Sequence, residues 1–371
     1  MGRLQGKFFG NVKFLYLFLH QLEEANIEYY FFTEHRSVYN QLKQHNMPVI
    51  YHPTLFSIFM LLRANVIVAS STAWIKKCKY HLLYNTKKVQ IFHGLALKKV
   101  ELAIEHKAKY NNSFSGRLDN AIRGRFPLYD LVISTSKFYT EKLFSKSFNV
   151  GTTIESGYPR NDIFYKDIDD DYSLLGSDSE VISKIVSFRN RGYKITQYAP
   201  TFRDTRGDAI SDNVLDLDKL SEFARKHKII FIFKFHLSTD LSVKLKTYDN
   251  IIVYNNLCDI QPLLKVTDIL ITDYSSVCID YLLLDRPMVF FAYDYEKYIT
   301  KDREMLFDYN WITAGPKCRS QEELQKAIQD YIDGKDDFIN KRKEIRDIAF
   351  AHKDGNSSAR VWEAIKKKLL Q

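Results

Sequence analysis

Two histidines of this 371-residue chain stand directly after apolar runs that have the composition of β-strands. His93 follows the run Val89–Phe92 and precedes Gly94, and His236 follows the run Ile229–Phe235. A neutral imidazole at the end of a strand can accept a proton from a hydroxyl nucleophile. The sequence therefore makes His93 a candidate general base. The alternative is a histidine whose ring is hydrogen-bonded in the core beside a turn.

Lysine and arginine side chains in the first half suit a ligand that carries phosphate groups. Lys98 and Lys99 follow His93 closely, and their ammonium groups can hold phosphate oxygens. Arg160 lies in the turn sequence Tyr158–Asp162, from which it can reach into a cleft. The alternative for this segment is an ordinary hinge turn.

Three potential cations are expected near one sheet edge of the second half. Arg203 follows the predicted strand Lys194–Tyr198, whereas Lys234 and His236 belong to the end of the next predicted strand. Ligands of parallel α/β sheets bind beyond the carboxyl ends of the strands, so this group suits a pyrophosphate. The alternative is a set of surface charges at loop tips.

A hydroxyl-containing segment follows a further predicted strand, Ile269–Thr272. It runs from Asp273 to Ser276, and Ser275 and Ser276 are expected to cap the helix that comes next. A helix N-terminus binds phosphate through its N–H groups and its dipole. The alternative is a pair of ordinary capping serines without a ligand.

The signatures of several enzyme classes are absent from the sequence. It contains no Gly-rich loop ending in Gly-Lys-Ser/Thr, no Gly-x-Gly-x-x-Gly motif and no Gly-x-Ser-x-Gly motif. It also has no Asp-x-Asp pair at the end of a predicted strand. We therefore expect no ATPase, dehydrogenase or serine hydrolase, and no obligatory metal.

Short apolar, β-branched or aromatic runs alternate with helical patterns, which predicts an α/β fold with parallel sheets. The predicted strands are Ile27–Thr33, Val66–Ala69, Val89–Phe92, Leu131–Ser134, Lys194–Tyr198, Ile229–Phe235, Ile251–Tyr254, Ile269–Thr272 and Met288–Phe291. The predicted helices are Asn11–Glu24, Ser136–Phe144, Leu217–Lys226, Ser275–Leu284, Gln321–Ile332 and Ser357–Leu370.

The composition of residues 166–180 is typical of a linker, because it is rich in Asp, Ser and Gly. We expect a first α/β domain over residues 1–165 and a second over residues 166–350. A C-terminal helix within residues 351–371 is expected to pack back toward the first domain.

The chain carries 54 Lys and Arg against 45 Asp and Glu, a net charge of +9. This charge favours an anionic partner such as nucleic acid, an acidic lipid surface or a phosphate-rich substrate. The four cysteines lie far apart, which excludes a disulfide scaffold and fits a reducing cytosol.

The sequence predicts neither a membrane span nor a signal peptide. The longest mostly apolar stretch, Phe56–Ala69, is interrupted by Arg63 and Asn65, whereas a span needs about 20 apolar residues. The first predicted helix carries an apolar stripe that either faces the core or docks on a bilayer. This stripe comprises Phe14, Leu15, Phe18, Leu19 and Leu22.

Taken together and in order, these motifs resemble the CDP-glycerol glycerophosphotransferase family, which contains teichoic acid primases and polymerases and related capsule polymerases. The resemblance runs through most of the chain. The matching segments are Phe9–Lys13, His93-Gly94 with Leu97–Lys99, Gly157–Asp162, Tyr198–Arg203, Phe235-His236, Ile271–Val277, Asp280-Tyr281, Pro287, Asp294, Tyr298, Phe307–Tyr309, Gly315-Pro316 and Asp354-Gly355 with Arg360.

The resemblance implies a GT-B-like fold in which two Rossmann-type domains with parallel sheets face a central cleft. It implies that the second domain binds a CDP-alditol, either CDP-glycerol or CDP-ribitol, and that the acceptor hydroxyl enters from the first. By similarity, His93 is the general base and His236 lies near the donor pyrophosphate. The residues that would line the donor phosphates and nucleotide are Thr201, Arg203, Asp273, Ser275 and Ser276.

The activity implied by this resemblance is transfer of an alditol phosphate to a hydroxyl of a lipid-linked glycan or glycerophosphate acceptor, with release of CMP. Lys98, Lys99 and Arg160 would hold the acceptor or a phosphate. The reaction would take place at the cytoplasmic face of the membrane, on an anionic lipid surface. No cofactor is expected, because the CDP-alditol is a substrate, and nucleic acid is not an expected partner.

Two other functions stay open at this point. A glycosyltransferase of the same fold would use a nucleotide sugar and form a glycoside instead of a phosphodiester. A non-enzymatic protein that binds an anionic polymer would use basic patches such as Arg117, Arg123 and Arg125, or Lys366–Lys368.

Overall fold

The chain forms two compact units in the computed structural model, which describes residues 6–22, 24, 26–75, 78–167, 174–201, 203, 209–210, 212–235, 248–301 and 304–370. The first unit comprises Met1–Gly94, Val100–Asp167 and Ile348–Gln371. The second unit comprises Leu95–Lys99 and Ile168–Asp347. Residues 95–99, which the sequence analysis assigned to the first domain, thus group with the second unit.

The first unit is built on parallel β-strands. Strand β1 (Phe31–Thr33) pairs with β2 (Val49–Tyr51). A four-stranded sheet has the order β3, β4, β5, β6, formed by Val66–Ala69, Lys87–Gln90, Leu128–Ser134 and Asn149–Glu155. Strand β5 is rich in fully buried apolar residues, as expected for an inner strand of a sheet covered on both faces.

Helices surround these strands. They are α1 (Gly10–Leu22), α2 (Arg36–Gln44), α3 (Leu55–Arg63), α4 (Thr72–Ile75), α5 (Cys78–Leu82), α6 (Glu105–Asn112), α7 (Phe114–Arg123), α8 (Lys137–Tyr139) and α9 (Ser145–Ser147), with 3₁₀ turns at Glu101–Ala103 and Pro159–Tyr165 and a π-helical turn at Thr140–Phe144.

The apolar stripe of α1 faces the core. Phe14 and Leu15 are buried, and only the end of the stripe, at Leu22, is exposed. Burial of Phe14 and Leu15 confirms the core-facing interpretation for the first part of the stripe, and docking of the stripe on a bilayer stays a prediction. No helix in the described part of the chain is both long and apolar enough to cross a membrane.

The second unit contains a six-stranded parallel sheet with the order β12-β11-β10-β7-β8-β9. These strands are β7 (Lys194–Tyr198), β8 (Ile229–Phe233), β9 (Ile251–Val253), β10 (Ile269–Thr272), β11 (Met288–Phe291) and β12 (Lys317–Cys318). The chain starts at the centre with β7, extends to β9 on one side and continues from β10 on the other. The strand order therefore reverses between β7 and β10, which is where ligands of such sheets bind.

Eight helices are found among the described residues from Leu174 to Ala349: α10 (Ser179–Asn190), α11 (Leu217–Lys226), α12 (Gln261–Val266), α13 (Val277–Tyr281), α14 (Tyr295–Lys301), α15 (Tyr309–Ile312), α16 (Gln321–Ile332) and α17 (Ile339–Ala349). The helix predicted over residues 275–284 is shorter in the structure, since α13 gives way to a 3₁₀ turn at Leu282–Leu284. Asp285 then adopts a left-handed conformation with φ of 49°, which ends the helical segment.

The C-terminal helix α18 (Ser357–Leu369) belongs to the first unit. The backbone N–H groups of Ser357 and Ser358 donate to the two carboxylate oxygens of Asp162 at 2.9 and 2.8 Å. Asp162 is buried and supplies the cap that this helix N-terminus needs. Midway along the helix, Trp362 Nε1 donates to the Glu24 carboxylate at 2.6 Å.

Docking of the N-terminus of α18 requires a glycine at position 157. Gly157 has φ of +78°, and a Cβ built on it would lie 2.5 Å from Ser357 Oγ. A side chain here would be strained and would push the start of α18 away.

Replacing Asp162 tests the role of this cap. Asp162→Ala leaves two buried N–H groups without an acceptor, so we expect the free energy of unfolding to fall by about 1–2 kcal/mol. Asp162→Asn keeps one acceptor oxygen and should lose less. Urea unfolding measures both, with the exposed Asp249→Ala as control. Equal stability of Asp162→Ala and the control would contradict the capping role.

Candidate active site

A buried carboxylate joins the two loops at the point where the strand order of the second unit reverses. Asp273 follows β10, and its Oδ1 accepts from the backbone N–H of Thr201, which follows β7, at 2.8 Å. The same oxygen accepts from the N–H of Tyr274 at 2.6 Å. Thr272 Oγ1 adds a second tie by donating to the carbonyl of Ala199 at 2.8 Å. These contacts fix the backbone of both loops at the carboxyl edge of the sheet.

Arg203 is held inside this edge by two carboxylates. Its Nε and Nη2 donate to Asp294 at 2.9 and 3.0 Å, and its Nη1 donates to Asp273 at 2.5 Å and to the carbonyl of Thr201. Four of the five N–H donors of the guanidinium are therefore used. Burial opposes the charged form, but Asp273 and Asp294 outweigh it and keep the pKa of Arg203 above its ordinary value.

This geometry gives Arg203 a positioning role for the loops of Thr201 and Asp273. Its side chain is 2% exposed, so its charge is neutralised within the protein. Direct contact of Arg203 and Asp273 with donor phosphates stays a prediction.

Two stacked tyrosines lie beside this ion-pair cluster. The rings of Tyr274 and Tyr298 are 3.8 Å apart and inclined by 13°. The hydroxyl of Tyr274 donates to Asp294 at 3.0 Å, and the Arg203 guanidinium lies 5.4 Å from the centre of the Tyr274 ring. Lys98 Nζ lies 4.8 Å from the centre of the Tyr298 ring. A second cation is thereby placed at this cluster.

Lys98 reaches this position because residues 97–99 pair with another segment of the second unit. The N–H of Leu306 donates to the carbonyl of Leu97 at 2.7 Å, and the N–H of Lys99 donates to the carbonyl of Glu304 at 3.1 Å. The ammonium group of Lys99 also forms an ion pair with the Glu304 carboxylate. Lys98 thus lies with the predicted donor-side residues, whereas the charge of Lys99 is compensated by Glu304.

Three hydroxyl groups stand at the same edge of the sheet. Thr201 Oγ1 is buried and has no hydrogen-bond partner among the described residues. Ser275 Oγ accepts weakly from the N–H of Val277 at 3.5 Å. Ser276 occupies the N-cap position of α13, but its side chain makes no cap bond, so its predicted capping role is wrong. Hydroxyls arranged in this way can donate to phosphate oxygens.

The other predicted cations of the second half are placed differently. Lys234 is buried, and its ammonium group donates to the carbonyl of Asn255 at 2.8 Å while lying 5.2 Å from the Tyr254 ring centre. His236 lies outside the described residues.

His93 stands at the carboxyl edge of the sheet in the first unit, three residues after β4. Its Nδ1 lies 3.2 Å from the carbonyl oxygen of Ser70, the residue that follows β3. A carbonyl only accepts hydrogen bonds, so this contact assigns the proton to Nδ1 and the accepting lone pair to Nε2. The ring lies against Phe92, with 4.0 Å between the ring centres.

Two polar side chains hold the backbone on either side of His93. Asn11 Nδ2 donates to the carbonyls of Ile91 and Phe92 at 2.8 and 2.6 Å. Arg160 Nη1 donates to the carbonyl of His93, and the N–H of Arg160 donates to Asn11 Oδ1 at 3.2 Å. Arg160 is 7% exposed and lies over the Tyr158 ring. It supports the His93 backbone, and its predicted contact with the acceptor or a phosphate stays untested.

Sequence reasoning missed several of these residues. The carbonyl of Ser70 carries no side-chain signal, and Asn11 and Asp294 appeared only as parts of matching motifs. Their spacing in the chain gives no indication of which side chain they contact.

Replacing Asp294 tests whether the buried ion-pair cluster supports the second unit. Asp294→Ala leaves a buried guanidinium with a single carboxylate, and such losses cost about 3–5 kcal/mol. Glu296→Ala is the matched control, since Glu296 pairs with Arg319 at the surface, where both side chains are more than 60% exposed. We expect urea unfolding to show a large loss for Asp294→Ala and almost none for the control. Equal losses would contradict this account of the cluster.

Comparison with known proteins places these features in context. The profile described as CDP-Glycerol:Poly(glycerophosphate) glycerophosphotransferase matches residues 4–367. The chain is 32% identical over 300 residues to the teichoic acid poly(glycerol phosphate) polymerase of Bacillus subtilis (strain 168), which covers 76% of this chain and 37% of that protein. It is 27% identical over 371 residues to the teichoic acid glycerol-phosphate transferase of Staphylococcus aureus (strain NCTC 8325 / PS 47), covering 96% and 89%.

The chain therefore spans little more than a third of the Bacillus polymerase and most of the Staphylococcus transferase. Among solved structures, the wall teichoic acid polymerase TagF matches 100% of this chain and 87% of its own with a TM-score of 0.73 and 22% identity. The S. aureus MnaA–UDP structure matches with a TM-score of 0.58 and 12% identity, covering 100% and 95%. The likeness to TagF confirms the predicted GT-B-like α/β fold.

Proposed function

Because the chain belongs to the CDP-glycerol:poly(glycerophosphate) glycerophosphotransferase family, we propose that it transfers an alditol phosphate from a CDP-alditol to an acceptor hydroxyl and releases CMP. The donor we propose is CDP-glycerol or CDP-ribitol. The similar proteins include both a glycerol-phosphate polymerase and a poly(ribitol-phosphate) polymerase, so the family likeness supports both alditols.

The observation that carries this proposal is the orientation of His93. Its Nδ1 is held by the Ser70 carbonyl, and its backbone is held by Asn11 and Arg160. In the neutral ring with its proton on Nδ1, the basic lone pair is on Nε2, and we assign this atom to accept the proton of the acceptor hydroxyl. The resulting alkoxide oxygen attacks the β-phosphorus of the donor, the bond from that phosphorus to the bridging oxygen breaks, and CMP leaves with the electron pair.

The second unit supplies groups for the donor phosphates. The hydroxyls of Thr201, Ser275 and Ser276 lie at the carboxyl edge of the sheet, on loops fixed by Asp273 and Arg203. Lys98 brings a positive charge to the same cluster. Preorganised donors and cations of this kind offset the charge that develops on the leaving phosphate. His236 is included in this role by family resemblance.

We propose that the reaction requires no cofactor, because the activated phosphate is already part of the substrate. Turnover that is unchanged by EDTA supports this, and turnover that is lost with EDTA and restored by a divalent cation refutes it.

Replacing His93 tests the catalytic role directly. His93→Ala removes the general base, and we expect turnover to fall roughly 10²–10⁴-fold with little change in thermal stability. The measurement is CMP release in the presence of acceptor, with exposed His106→Ala as the control. Turnover of His93→Ala close to that of the control would remove His93 from this role.

The acceptor we propose is lipid-linked, a glycan or glycerophosphate chain at the cytoplasmic face of the membrane. Support comes from an apolar face on the first unit, formed by α3, the segment around α5, and α7, which pack in that order. Eight large apolar side chains of this face are 51–88% exposed: Leu55, Phe56, Phe59, Leu62, Tyr84, Phe114, Leu118 and Ile122.

The charge of this apolar face suits an anionic bilayer. Helix α3 contains no acidic residue and ends at Arg63, and α7 carries Arg117 and Arg123 against the single acid Asp119. Asp119 itself pairs with Arg123 at 3.6 Å. Exposed apolar groups among arginines are typical of helices that lie in the interface of anionic membranes.

Vesicle binding tests this apolar face. Phe114→Ser combined with Leu118→Ser removes two exposed apolar side chains, so we expect at least a 10-fold loss of partition into vesicles of phosphatidylglycerol. Co-sedimentation measures it, with Leu257→Ser as a control, because Leu257 is 61% exposed in the second unit. Unchanged partition of the double variant, or equal binding to neutral phosphatidylcholine vesicles, would oppose this assignment.

A further inference from the structure

The segment Ser70–Thr72 of the first unit contacts the chain at two points close to His93, one at His93 itself and one at Glu101. The chain leaves the first unit after Gly94 and re-enters it at Val100. Before it leaves, His93 Nδ1 contacts the carbonyl of Ser70 at 3.2 Å. After it returns, the carboxylate of Glu101 accepts from the hydroxyl of Thr72 at 2.8 Å. Ser70 lies in the connection from β3 to α4 and Thr72 is the first residue of α4, so this segment contacts the chain both before and after residues 95–99.

The backbone of Glu101 is strained. It has φ of 46°, in the left-handed region that favours glycine. A non-glycine residue stays in this conformation only when surrounding contacts determine it, and such residues cluster at functional sites. The bond from Thr72 is one such contact, and Thr72 is buried.

The electrostatics of the neighbourhood support this placement. Burial raises the pKa of the Tyr129 hydroxyl, and the negative charge of Glu101 raises it further. Tyr129 lies in β5 and is 1% exposed. The hydrogen bond between Thr72 and Glu101 is itself partly buried, which strengthens it relative to a bond exposed to water.

We propose that Thr72 and Glu101 are positioning residues for His93. Their hydrogen bond fixes the backbone where the chain returns to the first unit, just after residues 95–99. The contact of His93 with Ser70 fixes the backbone just before these residues, so the segment is held on both sides. A general base must stay within hydrogen-bond reach of the hydroxyl it deprotonates, and a shift of about 1 Å lowers the rate on the order of 10²-fold. This inference rests on the proposed role of His93 as general base.

The test uses variants that change this one bond. Thr72→Val has nearly the same shape as threonine but lacks the hydroxyl, whereas Thr72→Ser keeps it. Glu101→Gln keeps an acceptor oxygen, and Glu101→Gly relieves the backbone strain but removes the acceptor. The measurements are kcat and the KM for the donor in the wild-type and His93→Ala backgrounds, together with Tm.

We expect Thr72→Val and Glu101→Gly to lower kcat about 10-fold with the KM for the donor within twofold of wild type. Thr72→Ser and Glu101→Gln should retain most of the turnover. In the His93→Ala background, Thr72→Val should change the residual turnover less than twofold, because its effect passes through His93.

Three results would overturn the proposal: equal loss in Thr72→Ser and Thr72→Val, the full 10-fold loss in the His93→Ala background, or a change confined to the KM for the donor. If Thr72→Val does not fold, Glu101→Gly and Glu101→Gln decide the outcome by the same criteria. A fully active His93→Ala variant would remove His93 from the role of general base, on which this inference rests, and that result is separate from additivity of the two changes.

Discussion

The geometry of the site in the second unit depends on the hydrogen bonds that the Asp273 carboxylate accepts. This carboxylate lies where the strand order of the sheet reverses, and it accepts from the N–H of Thr201 across that point and from the Arg203 guanidinium. A buried carboxylate is stable only when such donors surround it. Since its partners lie on two different loops, the requirement to satisfy this one charge fixes the position of both. The hydroxyls of Thr201, Ser275 and Ser276 are thereby placed at the carboxyl edge of the sheet.

A similar arrangement serves the first unit, although there the contacts are made mainly to the backbone. Asn11 and Arg160 bind the carbonyls around His93, and Ser70 orients its ring through a carbonyl. Asp162 and Gly157, which belong to the same matching segment as Arg160, instead hold the C-terminal helix. Many motif residues in the described part of the chain therefore act as supports of the backbone.

Much of the fold could be predicted from the sequence where strands are buried on both faces. The predicted strands Lys194–Tyr198, Ile269–Thr272 and Met288–Phe291 agree with β7, β10 and β11 residue for residue. Strand β6 was missed because Asn149–Glu155 is partly exposed and alternates too weakly to give an apolar run. Helices α3 and α7, whose large apolar residues are exposed, were also missed.

The candidate site could be predicted at the level of strand ends, because parallel strands bring their carboxyl ends to one edge. The partners of each charge could not be predicted. Arg203 looked like a phosphate ligand because the sequence does not reveal that Asp273 and Asp294 neutralise it. Lys98 was assigned to the first domain because it follows His93 closely. Its segment instead belongs to the second unit, because the backbone of residues 97–99 is hydrogen-bonded to that of Glu304 and Leu306.

The most direct test of the central claim is CMP release from CDP-glycerol and from CDP-ribitol, with and without a lipid-linked glycerophosphate acceptor, followed by analysis of the product linkage. The account predicts that CMP appears only with acceptor, from one of the two donors, and that the product contains a new phosphodiester. No CMP from either donor with folded protein, together with a glycoside formed from a nucleotide sugar, would contradict it.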